Sequence, residues 1–176
     1  MGRLSKVNPK TFAYIAGFLD GDGSIMLQFH RRKAGKEVYR VKTVICFYQD
    51  NRYRKEIEWM KKVLGCGYVY TRNDHICELR IEGFQRVFDI LTQLKPYLRF
   101  KRRQADLILG VIPKFQQKIL LKKDINSWIG KMREYNYFSS QRNTLVDVPV
   151  TTDSKEETLV FNKGNMPTPR TGEDIV

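Results

Sequence analysis

The chain has 176 residues, 41% of them hydrophobic and 12% aromatic, and a formal net charge of +13. This length suits one domain with a substantial core. No apolar run approaches the roughly eighteen residues of a membrane span, and no signal peptide is readable. We therefore expect an intracellular protein and exclude a membrane partner.

The positive charge is unevenly distributed along the chain. Residues 147–176 contain six acids against three bases, so the excess on residues 1–146 is larger than +13. Such an excess on one domain is typical of polyanion binding, because neutralised phosphates release condensed counterions. Nucleic acid is the favoured partner, although a basic surface can also serve solubility or attract an anionic membrane.

The first half of the chain predicts a helix, a hairpin and a second helix. Apolar residues at helical spacing predict the first helix over 11–22, with Pro9 just upstream. Alternating apolar residues then predict a long hairpin over 25–47, which turns near 34–35. The second helix is expected to start at Asn51 as N-cap and to stop at Gly65.

The second half predicts two more strands and further helices. Strands over 68–71 and 76–81 flank a turn at 72–74, and a third helix over 84–94 ends before Pro96. Later helices are predicted over 102–112 and 124–135. The order is α-β-β-α-β-β-α with helical additions, which indicates one α+β domain over 1–146. Residues 147–176 show no sustained period and are expected to form an irregular tail.

The three cysteines, Cys46, Cys66 and Cys77, include no Cys-x-x-Cys pair. Their odd number and spacing argue against a disulfide framework or a structural zinc site. Cys66, Cys77 and His75 could together ligate a metal, but buried or spectator thiols are far more common. We therefore expect spectator thiols.

The side chains opposite the apolar face of the two hairpins are mostly of types that read DNA. A β-ribbon can enter the major groove, where Arg and Lys pair with guanine, Gln with adenine, and a carboxylate with the cytosine amino group. The alternative is an ordinary water-facing sheet surface, which is polar in most proteins. The candidate DNA-binding residues, with Met26 as an apolar exception, are Met26, Gln28, His30, Arg32, Arg40, Lys42, Tyr48, Tyr68, Tyr70, Arg72, Glu78 and Arg80.

Two carboxylates, Asp20 and Asp22, fall at the predicted C-terminal end of the first helix. The helix dipole and the unpaired carbonyls make that end negative, so acids are disfavoured there unless a cation binds. Mg²⁺ and Ca²⁺ take carboxylate and carbonyl oxygens, which makes Asp22 a candidate metal ligand and Gly21 a candidate carbonyl donor. The alternative is a simple turn in which Asp20 hydrogen-bonds its own backbone.

Small residues line one stripe of the same helix: Ala13, Ala16, Gly17 and Gly21. A seam of this kind lets two helix backbones approach closely, so we expect a homodimer interface here. Twofold symmetry would bring two Asp22 carboxylates together. Metal ions held between them could then support phosphodiester hydrolysis.

One nine-residue stretch closely resembles the signature of the LAGLIDADG homing endonucleases, especially the single-motif members that act as homodimers: Ile15-Ala16-Gly17-Phe18-Leu19-Asp20-Gly21-Asp22-Gly23. The resemblance covers about residues 11–112 and includes the element order, Gln49 at the end of the second strand, and the segment 91–98 that leads to Lys101. It implies an αββαββα core, a curved antiparallel sheet that lies along the DNA major groove, and extra C-terminal helices.

The resemblance also implies roles for individual residues. By position, Asp22, Gln49 and Lys101 correspond to catalytic residues, and Asp22 and Gly21 to metal ligands. Gln49 and Lys101 would position water and offset transition-state charge, although Gln49 could merely cap its strand and Lys101 could merely touch phosphate. Close relatives carry a basic residue where this chain has Tyr53, and a neighbouring arginine at 52 or 54 could replace it.

The expected function is site-specific homing endonuclease activity that makes double-strand breaks in a long, roughly palindromic DNA target. The expected cofactor is Mg²⁺, with Mn²⁺ or Ca²⁺ able to substitute for binding, and the expected partners are double-stranded DNA and a second copy of the chain. Two alternatives use the same scaffold: a maturase that binds intron RNA, and a DNA-binding regulator that does not cleave. Intact Asp20 and Asp22 oppose the maturase reading, because maturases usually lose the acidic pair.

Overall fold

The computed structural model describes residues 7–31, 39–116 and 122–136, which form an antiparallel sheet with helices packed on one face. The predicted order of elements is confirmed. None of the described helices is long and apolar enough to cross a membrane. In chain order the elements are α1 (Pro9–Asp22), β1 (Gly23–Arg31), β2 (Tyr39–Asp50), a 3₁₀ turn (Asn51–Tyr53), α2 (Arg54–Leu64), β3 (Tyr68–Thr71), β4 (Ile76–Glu82), α3 (Phe84–Leu94), a second 3₁₀ turn (Lys95–Tyr97), α4 (Arg102–Gln116) and α5 (Lys122–Tyr135).

The four strands lie in the order β1-β2-β4-β3, and every neighbouring pair is antiparallel. Gly23 at the start of β1 pairs with Phe47 near the end of β2. Because side chains alternate along a strand, β2 directs Ile45 and Phe47 into the core, while Lys42 and Tyr48 lie on the opposite side. The sheet therefore has one face covered by helices and one open face, as predicted.

The core lies between the covered face of the sheet and the apolar sides of the helices. In α1 the buried residues include Ile15 and Leu19, neither of which has any exposed surface. The C-terminal helices join the same core, because Phe115 of α4 stacks on Phe84 at 5.3 Å and lies edge-on to Trp128 of α5 at 5.6 Å between ring centroids. This aromatic cluster fixes α4 and α5 against the domain.

Some helix ends differ from the prediction. Asn51 is not the N-cap of the second helix: a 3₁₀ turn intervenes, and Asp50 caps it by accepting a hydrogen bond from the backbone N–H of Arg52 at 2.8 Å. Helix α4 continues four residues past the predicted end, through Pro113, because the apolar contacts of Phe115 extend it. Helix α2 ends as expected at Gly65, whose φ of 73° is left-handed.

Several predictions fall outside the described residues. These are the hairpin turn near 34–35, Arg32, and the irregular tail over 147–176. The domain boundary at residue 146 therefore stays a prediction.

Candidate active site and DNA-facing surface

Asp22 is the last residue of α1, and both it and Gly21 are exposed. No basic residue lies in the last turn of the helix. Within the described ranges the Asp22 carboxylate has no hydrogen-bond or ion-pair partner. The end of α1 thus combines an uncompensated carboxylate with the negative end of the helix dipole, which is an arrangement that favours a bound cation.

The close contact between Gly23 and Leu19 sets the direction in which the chain passes from α1 into β1. A Cβ atom at Gly23 would lie 2.5 Å from Leu19 Cδ1 and 2.8 Å from the Leu19 carbonyl oxygen. Only glycine fits this close approach between the strand and the last turn of the helix. The steric constraint fixes Asp22 at the edge of the sheet.

Asp20 has a different environment from Asp22. Its Oδ2 accepts hydrogen bonds from the backbone N–H groups of Arg99 at 2.6 Å and Phe100 at 3.3 Å, and its Oδ1 accepts one from Lys101 at 2.9 Å. The alternative in which Asp20 bonds its own local backbone is wrong, because the carboxylate bonds a segment about eighty residues further along the chain.

Lys101 lies against the end of α1, as the resemblance implies. Its Nζ donates a hydrogen bond to the backbone carbonyl of Asp20 at 2.5 Å. Burial lowers the pKa of Lys101, while the charges of Asp20 and Asp22 oppose that lowering. The ammonium therefore lies within electrostatic reach of Asp22.

Gln49 is the next-to-last residue of β2 and belongs to the helix-facing side of the sheet. Its Oε1 accepts a hydrogen bond from the Asp50 backbone N–H at 2.9 Å. The side chain lines a cavity of about 530 Å³ between α1 and α2, together with Tyr14, Phe18 and Tyr53. Because β1 begins opposite Phe47, Gln49 and Asp22 flank the same end of the β1-β2 pair.

Neither arginine beside Tyr53 lines the cavity that holds Gln49. Arg52 forms an ion pair with Asp50 at 2.9 Å, and Arg54 bonds Glu58 at 2.9 Å and Thr71 Oγ1 at 2.9 Å. Both guanidinium groups are thus engaged elsewhere. Sequence reasoning missed Lys10, which does line this cavity from the first turn of α1; no motif in the sequence marks it.

The small-residue stripe of α1 is only partly an exposed seam. Ala13, Gly17 and Gly21 are exposed, and a Cβ atom at either glycine would meet nothing within 4 Å. Ala16 is fully buried in the core of its own chain, so its assignment to the interface is wrong. The remaining three residues are spaced by four and form one narrow stripe on the helix surface.

Arg80 is the centre of a hydrogen-bonded network on the open face of the sheet. Its guanidinium contacts Glu82 at 2.8 Å, Glu78 at 3.4 Å and Gln28 at 3.3 Å. Lys42 contacts the other oxygen of Glu82 at 3.3 Å. Sequence reasoning missed Glu82, although the alternation Glu78-Arg80-Glu82 places all three on one face of β4. The network shows that several predicted DNA-binding residues are brought together.

Glu78, predicted as a carboxylate that pairs with the cytosine amino group, is buried and hydrogen-bonded within the chain rather than free on the open face. Only 3% of Glu78 is exposed, and its Oε2 accepts a hydrogen bond from the Tyr70 hydroxyl at 2.5 Å. That hydrogen bond, together with burial, raises the pKa of Tyr70 to about 12. Tyr68 stacks on Tyr70 with 5.9 Å between ring centroids. Glu78 therefore orders its neighbours on the open face.

The other candidate DNA-binding residues lie around this network. Met26 accepts a weak contact from Gln28 Nε2 at 3.6 Å, and the Tyr48 hydroxyl is 3.1 Å from Ser24 Oγ. Arg72 lies in the exposed β3-β4 turn and pairs with Asp74 at 2.9 Å. His30 and Arg40 pair in the β1-β2 register, but only their backbone is described.

The thiols show no sign of a metal centre. Cys46 and Cys77 are buried, and burial raises the pKa of Cys46 to about 12. Among the residues that the structure describes, no three His, Cys, Asp or Glu side chains form a metal-binding group. The expectation that Cys66 is a spectator thiol stays a prediction.

Comparison with known proteins gives two curated relatives of the chain. The chain is similar to the DNA endonuclease I-CvuI of Chlorella vulgaris, with 37% identity over 103 residues that span 58% of this chain and 64% of the relative. It is also similar to the DNA endonuclease I-CreI of Chlamydomonas reinhardtii, with 26% identity over 156 residues that span 87% of this chain and 95% of that relative. The match thus covers less than two thirds of I-CvuI but most of I-CreI.

Solved structures agree with the fold. The crystal structure of I-CvuI in complex with the I-CreI target matches with a TM-score of 0.66 and 30% identity, over 75% of this chain and 85% of that one. The crystal structure of the homing endonuclease I-TnaI matches with a TM-score of 0.64 at 21% identity, over 77% and 92% of the two chains. The family model described as LAGLIDADG endonuclease matches residues 15–112. The chain therefore belongs to the LAGLIDADG endonuclease family.

Proposed function

We propose that the chain is a site-specific, divalent-metal-dependent homing endonuclease that cleaves both strands of a long, roughly palindromic DNA target as a homodimer. The observation that carries this proposal is the exposed Asp22 carboxylate at the end of α1, which has no hydrogen-bond or ion-pair partner among the described residues and lies within electrostatic reach of Lys101, in a chain of net charge +13. The relatives support it, since I-CvuI and I-CreI are DNA endonucleases and I-CvuI has been crystallised on DNA targets with Mg and with Ca.

The donor atoms at the end of α1 fit a hard divalent cation. Asp22 offers an exposed carboxylate, and the exposed Gly21 lets its carbonyl be approached without hindrance from a side chain. We propose Mg²⁺ as the cofactor, with Mn²⁺ or Ca²⁺ able to replace it for binding. When bound, the cation would supply Lewis-acid activation of water and stabilisation of the leaving 3′ oxygen.

The remaining chemistry belongs to residues of the chain. Lys101 carries a positive charge next to Asp22, where it can offset negative charge that develops on the scissile phosphate. Gln49, at the adjoining end of β2, has an amide that can hold a water molecule in line for attack. Their placement at one end of the molecule supports a shared catalytic role.

The exposed stripe of α1 supports the homodimer. Ala13, Gly17 and Gly21 allow the α1 helices of two copies to approach closely, which would bring the two Asp22 residues to a common centre. One copy could then cut each strand. Isologous contact of this kind also explains why a single motif suffices for cleavage of both strands.

The open face of the sheet is proposed to contact the major groove of DNA. Strands β1 and β2 contain 9 and 12 residues, which at about 3.3 Å per residue span roughly 30–40 Å, or about one turn of duplex. Arg80, Gln28 and Lys42 carry groups that pair with base edges. Each subunit would then cover roughly ten base pairs.

Selection from a random duplex library tests this proposal. The purified protein is incubated with the library in Mg²⁺, and cleaved molecules are recovered and sequenced. We expect a roughly palindromic consensus, with cuts on both strands near its centre and none when EDTA is present. Footprints without strand breaks would instead establish a non-cleaving regulator, and selective retention of intron RNA over duplex DNA would establish the maturase reading.

A further inference from the structure

Asp20 makes an uncommon set of contacts for an acid at the C-terminal end of a helix. Its two carboxylate oxygens accept hydrogen bonds from three successive backbone N–H groups, those of Arg99, Phe100 and Lys101. Its own carbonyl accepts a fourth hydrogen bond, from Lys101 Nζ at 2.5 Å. All four bonds join the end of α1 to one short segment that precedes α4.

The geometry explains why a carboxylate is stable at this position. Helix α4 begins at Arg102, and its first turn closes with a hydrogen bond from the Ala105 N–H to the Lys101 carbonyl at 3.1 Å. Asp20 therefore binds the N–H groups that lead into the positive end of α4, where an anion is favoured. This favourable contact offsets the unfavourable dipole of α1, the helix on which Asp20 lies.

Lys101 is consequently held at two points. Its backbone N–H is bound to Asp20 Oδ1 and its ammonium to the Asp20 carbonyl. A lysine side chain is a flexible four-carbon stem, so fixing only one end would leave the charge free to move. With both ends attached to the residue two positions before Asp22, the ammonium has a defined place relative to the proposed metal ligand.

We propose that Asp20 is a positioning residue for DNA cleavage, which acts by fixing the segment 99–101 and thereby the place of Lys101 beside Asp22. Asp20 makes this contribution without touching DNA or metal, since its carboxylate is occupied by backbone N–H groups. The inference rests on the proposed endonuclease function and names a second acid of the motif with a role distinct from that of Asp22.

A double-mutant cycle tests the inference on a duplex selected with the unmodified protein. The four proteins are the unmodified chain, Asp20→Asn, Lys101→Ala and the double variant, compared by single-turnover cleavage in Mg²⁺. An Asn side chain keeps one acceptor oxygen and loses the other, so we expect the rate to fall about tenfold to a hundredfold in Asp20→Asn. When Lys101 is already alanine, Asp20→Asn should lower the cleavage rate by less than about twofold, because no ammonium group remains to be positioned.

Two further measurements separate positioning from a general loss of structure. Affinity for the same duplex in Ca²⁺ should change less than about threefold in Asp20→Asn, and hydrogen exchange should accelerate at the amides of residues 99–101 while the β-sheet amides stay protected. If Asp20→Asn fails to bind DNA, Asp20→Ser replaces it in the cycle, because a hydroxyl still accepts one of the three N–H groups.

The matched control is Asp106→Asn. Asp106 of α4 forms an ion pair with Lys95 at 2.6 Å. These two residues lie on either side of the segment 99–101 in the chain, and Asp106 does not contact Lys101. The cleavage rate of Asp106→Asn should stay within about twofold of the rate of the unmodified protein. Multiplicative losses in the double variant, or an unchanged rate in Asp20→Asn, would overturn the inference. If the unmodified protein itself selects no cleaved duplex, the proposed endonuclease function has failed instead.

Discussion

Asp22 at the end of α1 and the acids on the open face of the sheet have different electrostatic environments. Asp22 is exposed, and among the described residues its carboxylate has no hydrogen-bond or ion-pair partner, although the Lys101 ammonium lies within electrostatic reach. On the sheet, Glu78 and Glu82 are both bound to Arg80, and Glu82 also to Lys42. The acids of the sheet are therefore ion-paired within the chain, whereas the Asp22 carboxylate has no direct partner among the described residues and is open to a cation.

This difference separates two kinds of function on one domain. A compensated network keeps polar side chains in fixed positions, which suits a surface that must discriminate between similar base edges. An uncompensated carboxylate at the negative end of a helix dipole suits a site that is completed by a cation. Mutations in the two regions should accordingly affect different measurements.

The largest expected effect comes from Asp22→Asn. Removing the charge takes away the proposed metal ligand, and because loss of outer-shell partners alone costs about 10–100-fold, cleavage should fall by more than about a hundredfold. DNA affinity in Ca²⁺ should change little, since the sheet is untouched. Single-turnover cleavage and gel-shift titration measure the two quantities. Asp89→Asn on α3 serves as control, and undiminished cleavage by Asp22→Asn would refute the metal assignment.

If two copies pair through α1 as proposed, a bulky residue in its exposed stripe should prevent that pairing. A Cβ atom at Gly17 would meet nothing within 4 Å in its own chain, and Gly17→Leu replaces a helical glycine, so the free monomer should melt no lower than the unmodified protein. The proposed dimer should be lost on analytical ultracentrifugation, and with it double-strand cleavage. Gly110→Leu on α4 is the matched control, because it also points into open space. A dimeric, active Gly17→Leu protein would place the interface elsewhere.

Arg72→Ala should change the sequence preference of the open face. Arg72 lies at the tip of the β3-β4 hairpin, where both Arg72 and its ion-pair partner Asp74 are exposed to solvent. Loss of one base contact should relax discrimination at one position in each half-site by about 1–3 kcal/mol, measured by cleavage of a library of single-base variants. Lys62→Ala removes the same charge from α2, on the covered side of the sheet. Equal weakening on every sequence would show that Arg72 contacts phosphate.

The sequence was sufficient to predict the strands because both hairpins alternate with few exceptions, such as Met26, Val44 and Cys46, and the turns carry glycine or Asn-Asp. Through the resemblance of the motif it also pointed to Asp22, Gln49 and Lys101, whose catalytic roles stay predictions; the structure places Lys101 against the end of α1 and Gln49 at the adjoining end of β2. It could not show that Asp20 bonds residues 99–101, because that contact joins positions about eighty residues apart. The burial of Ala16 was not predicted because the stripe included residues at both three- and four-residue spacing. Only the four-residue series of Ala13, Gly17 and Gly21 is exposed.

The smallest expected effect tests whether the network on the sheet contributes to stability. Tyr70→Phe removes the hydrogen bond to Glu78, and at neutral pH we expect a loss of roughly 0.5–1.5 kcal/mol in the free energy of unfolding. The pKa of Tyr70 is raised from its ordinary value of 10.0 to about 12, so the folded state favours the neutral phenol. The contribution of the Tyr70 hydroxyl to the free energy of unfolding should therefore be fully present below pH 10 and decline between pH 10 and 12. Over that range the difference in stability between the unmodified protein and Tyr70→Phe should shrink.

Urea titrations at several pH values measure this difference directly. Tyr68→Phe is the matched control, because Tyr68 stacks on Tyr70 but donates no hydrogen bond to Glu78. Its difference from the unmodified protein should change less with pH than that of Tyr70→Phe. If the two variants behave alike, the Tyr70 hydroxyl does not stabilise the buried carboxylate. The order around Glu78 would then come from Arg80, which already contacts Glu78, Glu82 and Gln28.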